Sequence, residues 1–184
     1  GRTISDKLKK YNDTIIDGEY IYLPEQNKYL FTTFDILFLG SKDVREVASL
    51  EERLKCLDQV MNDCFDYKPN EKDIKNYELK EMIKRNDGVM REYISVLNKT
   101  IAKSKDDHII YRKFFQFVVG ISNTEIFNYA YQLWDLYTKD GKVDVPYILD
   151  GVMFTPLQQI YTKNLKKVKY KTYKWKPPNL NTID

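Results

Sequence analysis

The strongest constraint on folding in this sequence is a pair of β-rich runs near its N-terminal end. Thr14–Tyr22 (TIIDGEYIY) and Lys28–Leu39 (KYLFTTFDILFL) are dense in β-branched and aromatic residues, and a short segment containing Pro24 separates them. A run, a turn and a second run of this kind predict an antiparallel hairpin. Helical periodicity then takes over. Ser49-Leu-Glu-Glu52 is a capping box, followed by an apolar stripe of Leu50, Leu54, Leu57 and Met61. Met90, Tyr93, Ile94, Leu97 and Ile101 make a second stripe. Ser122-Asn-Thr-Glu125 is another box, with Ile126, Ala130, Leu133, Trp134 and Tyr137 behind it. Lys68–Asp87 is highly charged with a weak stripe and predicts an exposed helix, so 65–108 reads as a helical insertion. Strand patterns return at Ile109–Val119, Tyr147–Phe154 and Val168–Trp175. Strands, then helices, then strands predict an α+β domain with antiparallel sheets and a helical middle segment.

With 184 residues, 42% of them hydrophobic and 14% aromatic, the chain can bury one core, and wholesale disorder is excluded. No apolar run approaches the ~18 residues of a spanning helix, and no secretory pattern opens the chain. The expectation is a soluble protein with no membrane partner. Cys56 and Cys64 make neither a disulfide framework nor a zinc knuckle, which suits a reducing compartment. They read as packing residues. His108 reads as a lone histidine in a charged loop, and no serine or cysteine has a partner base, so a hydrolase triad has no support.

Charge is distributed unevenly. Tyr161–Asp184 holds seven lysines and one acidic residue, Asp184, whereas the whole chain is only +3. Tyr161, Tyr170, Tyr173 and Trp175 are interleaved with those lysines. A cluster of this composition attracts the phosphates of a nucleotide or of a nucleic acid. The lysine- and asparagine-rich composition points to an AT-rich coding sequence and makes a large DNA virus plausible as the source.

Several short motifs could carry chemistry. Asp17-Gly18-Glu19 lies within a strand pattern, where glycine marks close approach of a ligand or of another backbone. Alternation places the two carboxylates on one face. Asp150-Gly151-Val152-Met153-Phe154 repeats the acid–glycine–apolar order. Carboxylates on strands can hold Mg²⁺ together with substrate phosphates, although either Asp-Gly also reads as a turn. In Tyr173-Lys174-Trp175-Lys176-Pro177-Pro178, alternation puts Lys174 and Lys176 on one face and turns Trp175 toward the core. Paired ammonium groups suit a triphosphate; a solvated basic edge strand is the competing explanation. Phe34, beside Asp35, could stack on a base or belong to the core.

Taken in order, DGE (17–19), FDILF (34–38), EERL (51–54), DGVMF (150–154), YKWKPP (173–178) and TID (182–184) resemble the nucleotidyltransferase superfamily of mRNA capping enzymes and polynucleotide ligases. Asp-Gly at 150–151 and the Lys-Trp-Lys-Pro-Pro at 174–178 resemble the capping guanylyltransferase branch. The resemblance implies an ATP-grasp-like nucleotidyltransferase domain over residues 1–184. It implies that Glu19 contacts the ribose or the metal, Asp150 binds Mg²⁺ (or Mn²⁺), Phe34 stacks on guanine, Lys113 contacts guanine O6, and Lys174 and Lys176 grip phosphates. The activity implied is transfer of GMP from GTP to the 5′-diphosphate end of mRNA through a lysyl-GMP intermediate. The family's Lys-x-Asp-Gly motif does not occur here, so the domain reads as N-terminally truncated, with its nucleophile outside the chain and without its OB-fold. An RNA triphosphatase, an OB-fold and a methyltransferase are the expected fused or associated domains. The resemblance implies a cytoplasmic place of action (a viral factory or virion for a virus) or a nuclear one for a cellular enzyme. The alternatives are an ATP-dependent polynucleotide ligase domain and a non-catalytic RNA-binding or assembly module.

Overall fold

The computed structural model describes residues 6–65, 91, 93–116, 122–138 and 144–177. The charged stretch Lys68–Asp87 and the terminal TID lie outside them. A 3₁₀ turn, Asp6–Tyr11, leads into β1 (Ile15–Leu23) and β2 (Lys28–Leu39), the hairpin predicted by the two β-rich runs. Strand β2 is central. β1 covers one edge, while β3 (Lys42–Asp43) and β4 (His108–Arg112) share the other. β4 runs parallel to β2, unlike the antiparallel pairing expected throughout. A parallel neighbour needs a long crossover, and the residues between β2 and β4 supply one. His108 therefore opens a strand instead of sitting in a loop, and its ring stacks on Tyr29 with centroids 5.2 Å apart.

The two capping boxes form as their sequences dictate. The Ser49 N–H donates to Glu52 Oε2 (2.7 Å) and the Glu52 N–H to Ser49 Oγ (3.3 Å), opening α1 (Leu50–Phe65). Ser122 and Glu125 repeat the arrangement ahead of α3 (Asn123–Thr138). Between them, 93–103 form α2. Alternation in β4 distributes the core on both faces of the sheet. Ile110 packs with Ile36, Leu54, Leu57 and Met61 on the α1 side. Ile109 and Tyr111 pack with Leu23, Leu30, Leu97 and Ile101 on the α2 side. Within the 65–108 stretch read as an insertion, 93–103 is thus a core element. Lys28 Nζ donates to the carbonyls of Ile101 (2.7 Å) and Ser104 (2.8 Å), tying the end of α2 to the start of β2.

A separate ribbon pairs β5 (Val152–Phe154) antiparallel with β6 (Tyr173–Trp175). Both strands are shorter than their sequence patterns predict. The lysine-rich chain before β6 is exposed and takes no ladder partner. The ribbon meets α3 through rings: Phe154 lies 5.1 Å from Phe127, and Trp175 lies edge-on to Trp134 at 5.8 Å.

One buried ion pair joins three parts of the chain. Arg53 of α1 is 1% exposed, yet its guanidinium is fully engaged. Nε and Nη2 donate to the two oxygens of Asp35 in β2 (2.7 and 3.0 Å). Nη1 donates to the carbonyls of Ala48 (2.8 Å) and Gln159 (2.9 Å). Breaking one side of such a pair leaves an uncompensated buried charge. Asp35→Ala and Arg53→Ala should each lower the unfolding free energy by about 3–5 kcal/mol in urea denaturation. Replacing both, with Leu at 35 and Met at 53, should recover much of that loss. A double variant that loses the sum of the single effects would show that the two charges are not coupled.

Candidate functional site

The first half of the site is built by a break in strand register. Asp17 pairs with Asp35 and Gly18 with Thr33, so Phe34 is an extra residue in β2. A bulge of this kind re-aims the side chain it inserts. Phe34 borders a cleft beside the sheet. Lys113, immediately after β4, is held there by its backbone N–H, which donates to the Thr33 carbonyl (2.8 Å). Its ammonium lies 5.7 Å from the Phe34 ring centroid and donates to Glu19 Oε2 (3.1 Å). Glu19, Phe34 and Lys113 are 94 positions apart at their extremes, and the fold gathers them at one point.

The neighbouring Asp17 has a different environment from Glu19. It accepts the Tyr161 hydroxyl (2.9 Å) and the Gly18 N–H (2.9 Å), and that bond raises the Tyr161 phenol above its ordinary pKa. A Cβ at Gly18 would lie 2.6 Å from the Phe31 ring and 2.7 Å from the Thr32 carbonyl oxygen. Close packing of β2 accounts for this glycine without a ligand.

The second half lies on the ribbon. Lys174 Nζ donates to Asp150 Oδ2 (2.6 Å), and Lys176 Nζ lies 3.7 Å from the same oxygen. The Lys174 ammonium is the main reason that the Asp150 carboxyl sits below the usual aspartate range. Alternation turns Trp175 away from this pair, against Trp134 and Tyr131 of α3. Gly151 has a φ of +148°, and a Cβ there would fall on the Trp175 carbonyl oxygen. Glycine is what lets β6 come close enough to place both lysines at Asp150.

Glu19, Phe34, Lys113, Asp150 and Lys174 border the same cleft. Tyr93 and Tyr147 also line it, half-buried, with the Tyr93 hydroxyl donating to the Arg112 carbonyl (2.8 Å). Burial raises the Tyr147 phenol. Among the described residues no group of three or more His, Cys, Asp or Glu could hold a metal ion. A cation at Asp150 would therefore have to complete its shell with ligand oxygens and water. Mg²⁺ does this routinely, using one or two carboxylates plus phosphates.

Sequence reasoning missed three groups: the Asp35–Arg53 pair, Tyr161 on Asp17, and the Tyr93–Tyr147 lining. Arg53 did carry a signal. It falls on the apolar stripe of α1, between Leu50 and Leu54 at helical spacing, and a charge at a core position needs a buried partner. The tyrosines carried none, because their partners are distant in sequence.

The chain is similar to a probable mRNA-capping enzyme of Acanthamoeba polyphaga mimivirus. The two are 32% identical over 190 residues, which takes in 96% of this chain and 16% of that protein. The chain thus spans 16% of the length of the curated relative it matches. No family model matches it, and no solved structure matches it.

Two outcomes follow from the ribbon geometry. The Asp150 carboxyl, followed by NMR, should titrate below the ordinary aspartate range and move back toward it in Lys174→Ala. Because the folded-state value is lowered, the pair stabilises the fold above the unfolded-state pKa. That contribution is lost as pH falls through the folded-state value. An Asp150 titration unaffected by Lys174→Ala would remove the ion pair. Gly151→Ala should cost roughly 1–3 kcal/mol in thermal unfolding, because it imposes a strained φ and a clash with β6.

Proposed function

We propose that this chain is the nucleotide-binding part of an mRNA guanylyltransferase of a large DNA virus. In this reading the intact enzyme transfers GMP from GTP to the 5′-diphosphate end of RNA. The observation that carries the proposal is the pairing, on one cleft, of an aromatic–cation–carboxylate group with a carboxylate held by two lysines. Similarity to a viral capping enzyme over 96% of the chain supports a capping role. The finer assignment to guanylyl transfer rests on the motif resemblance.

Each residue then has a task. Phe34 offers a ring for the guanine to stack on, with Lys113 above it as donor to the base oxygen. Glu19 accepts from the ribose once Lys113 turns to the base. Lys174 and Lys176, released from Asp150, bind separate phosphates of the triphosphate and stay protonated while doing so. Asp150 and Glu19 would hold Mg²⁺ or Mn²⁺, which when bound supplies Lewis-acid stabilisation of phosphate charge. The nucleophilic lysine that takes up GMP is assigned to a Lys-x-Asp-Gly motif outside these 184 residues. The expected companions are a triphosphatase, an OB-fold and a methyltransferase.

The test is binding of GTP and ATP to the 184-residue chain by titration calorimetry with Mg²⁺, beside a denaturing gel with α-labelled GTP. GTP should bind more tightly than ATP, and no covalent band should form. Lys174→Ala and Lys176→Ala should each weaken GTP binding by about 10-fold or more, the scale of a lost hydrogen bond to a charged group. Asp150→Ala should abolish the Mg²⁺ dependence. In the intact enzyme each lysine variant should slow guanylylation by about 10²-fold. Tighter binding of ATP would favour the ligase reading, and RNA binding without any nucleotide affinity would favour a non-catalytic module. A labelled lysine within the chain would overturn the placement of the nucleophile.

A further inference from the structure

The loop between β5 and β6 presents more positive charge than the cleft uses. From Tyr161 to Pro177 there is no aspartate or glutamate, and seven lysines occupy the segment. Three of them are engaged: Lys174 and Lys176 at Asp150, and Lys167 at Glu46. Lys163, Lys166, Lys169 and Lys171 are exposed, with no ion pair among the described residues. The loop that carries them is tied down at several points. The Tyr161 N–H donates to the Arg45 carbonyl (2.7 Å), and the Thr162 hydroxyl donates to Glu46 (2.9 Å). The Lys166 N–H donates to Asn164 Oδ1 (3.1 Å) and the Lys167 N–H to the Asn164 carbonyl (2.9 Å). The four ammonium groups without an ion pair are therefore displayed on a loop anchored to the fold through Tyr161, Thr162 and Lys167.

Lys163, Lys169, Lys171 and Tyr170 border the same cleft as Lys174. Tyr170 and Tyr173 are 43% and 61% exposed, and Lys169 Nζ lies 5.2 Å over the Tyr170 ring. Exposed rings alternating with lysines suit a chain of phosphates carrying unstacked bases better than an acidic peptide, which has nothing to stack.

We infer that the 163–171 loop is the surface along which a single-stranded RNA leaves the cleft, its backbone phosphates on Lys163, Lys166, Lys169 and Lys171 and a base on Tyr170. The inference rests on the capping reading for the identity of the polyanion. It adds a path for the acceptor strand, leading outward from the part of the cleft that Phe34, Lys113 and Lys174 line.

The experiment uses the 184-residue chain and a short labelled single-stranded RNA with a 5′-diphosphate, followed by fluorescence anisotropy over a range of salt. In one variant Lys163, Lys166, Lys169 and Lys171 all become alanine. In a control of equal charge, Lys55, Lys99, Lys103 and Lys105 do. The loop variant should lose about 10-fold or more in RNA affinity near 0.1 M salt, and its log–log salt slope should flatten by about 2–3. Each lost phosphate contact on a single strand is worth about 0.7 of slope. The control should retain its slope, and GTP binding should be the same in all three proteins. An unchanged slope in the loop variant, or equal losses in loop variant and control, would overturn the inference. Wild-type chain that binds no GTP while the loop variant still loses RNA would keep the RNA surface and remove the guanylyltransferase reading instead.

Discussion

The fork between Arg53 and Asp35 is the interaction on which the remaining architecture depends. A guanidinium with one edge on a carboxylate and another on two carbonyls fixes three backbone segments relative to one another. Those segments are β2, the start of α1, and the stretch around Gln159 that leads into the basic loop. A buried pair of this kind gains little net free energy over well-packed apolar side chains. Its particular contribution is geometric, since apolar side chains of the same volume would hold no carbonyl at position 159. A further tie, the Glu51 N–H to the Leu157 carbonyl (3.2 Å), secures the same strip of chain to α1. The ribbon and the sheet thus face one cleft although they share no ladder.

A second ion pair, Arg112 with Asp58, ties β4 to α1. Burial pushes the Asp58 carboxyl up while the guanidinium pulls it down, and burial is the larger effect. Both pairs sit where a strand meets α1, so α1 carries two acid–base links besides its apolar stripe. The cleft-facing groups are exposed by comparison. Glu19 and Asp150 side chains are 57% and 62% accessible, and their lysine partners can exchange to a ligand at small cost.

How much of this was legible in the sequence depends on how local the cause is. The hairpin and both capping boxes were readable because their partners lie within a few residues. β2 has the span Lys28–Leu39 that its run of β-branched and aromatic residues predicts. The parallel placement of β4 was not readable, since it depends on how α1 and α2 take opposite faces of the sheet. The bulge at Phe34 was hidden for a similar reason: it exists only as a mismatch between two strands. Glu19 and Phe34 were singled out from their residues and Lys113 from resemblance alone, and their mutual contact depends on that mismatch. Asp150 and the two lysines were closer to legible, because alternation alone puts Lys174 and Lys176 on one face.

The ribbon's packing on α3 has an optical consequence. The chain has two tryptophans, and both are at that junction, with ring planes at 81° to each other. Tryptophan emission from this chain therefore reports on one place, the seating of β6 against α3, and is silent about the hairpin and the core around α2. The same ribbon carries Lys174, whose ammonium is paired with Asp150, so any shift of its seat on adding a candidate ligand would be visible in the protein's own fluorescence, without a label.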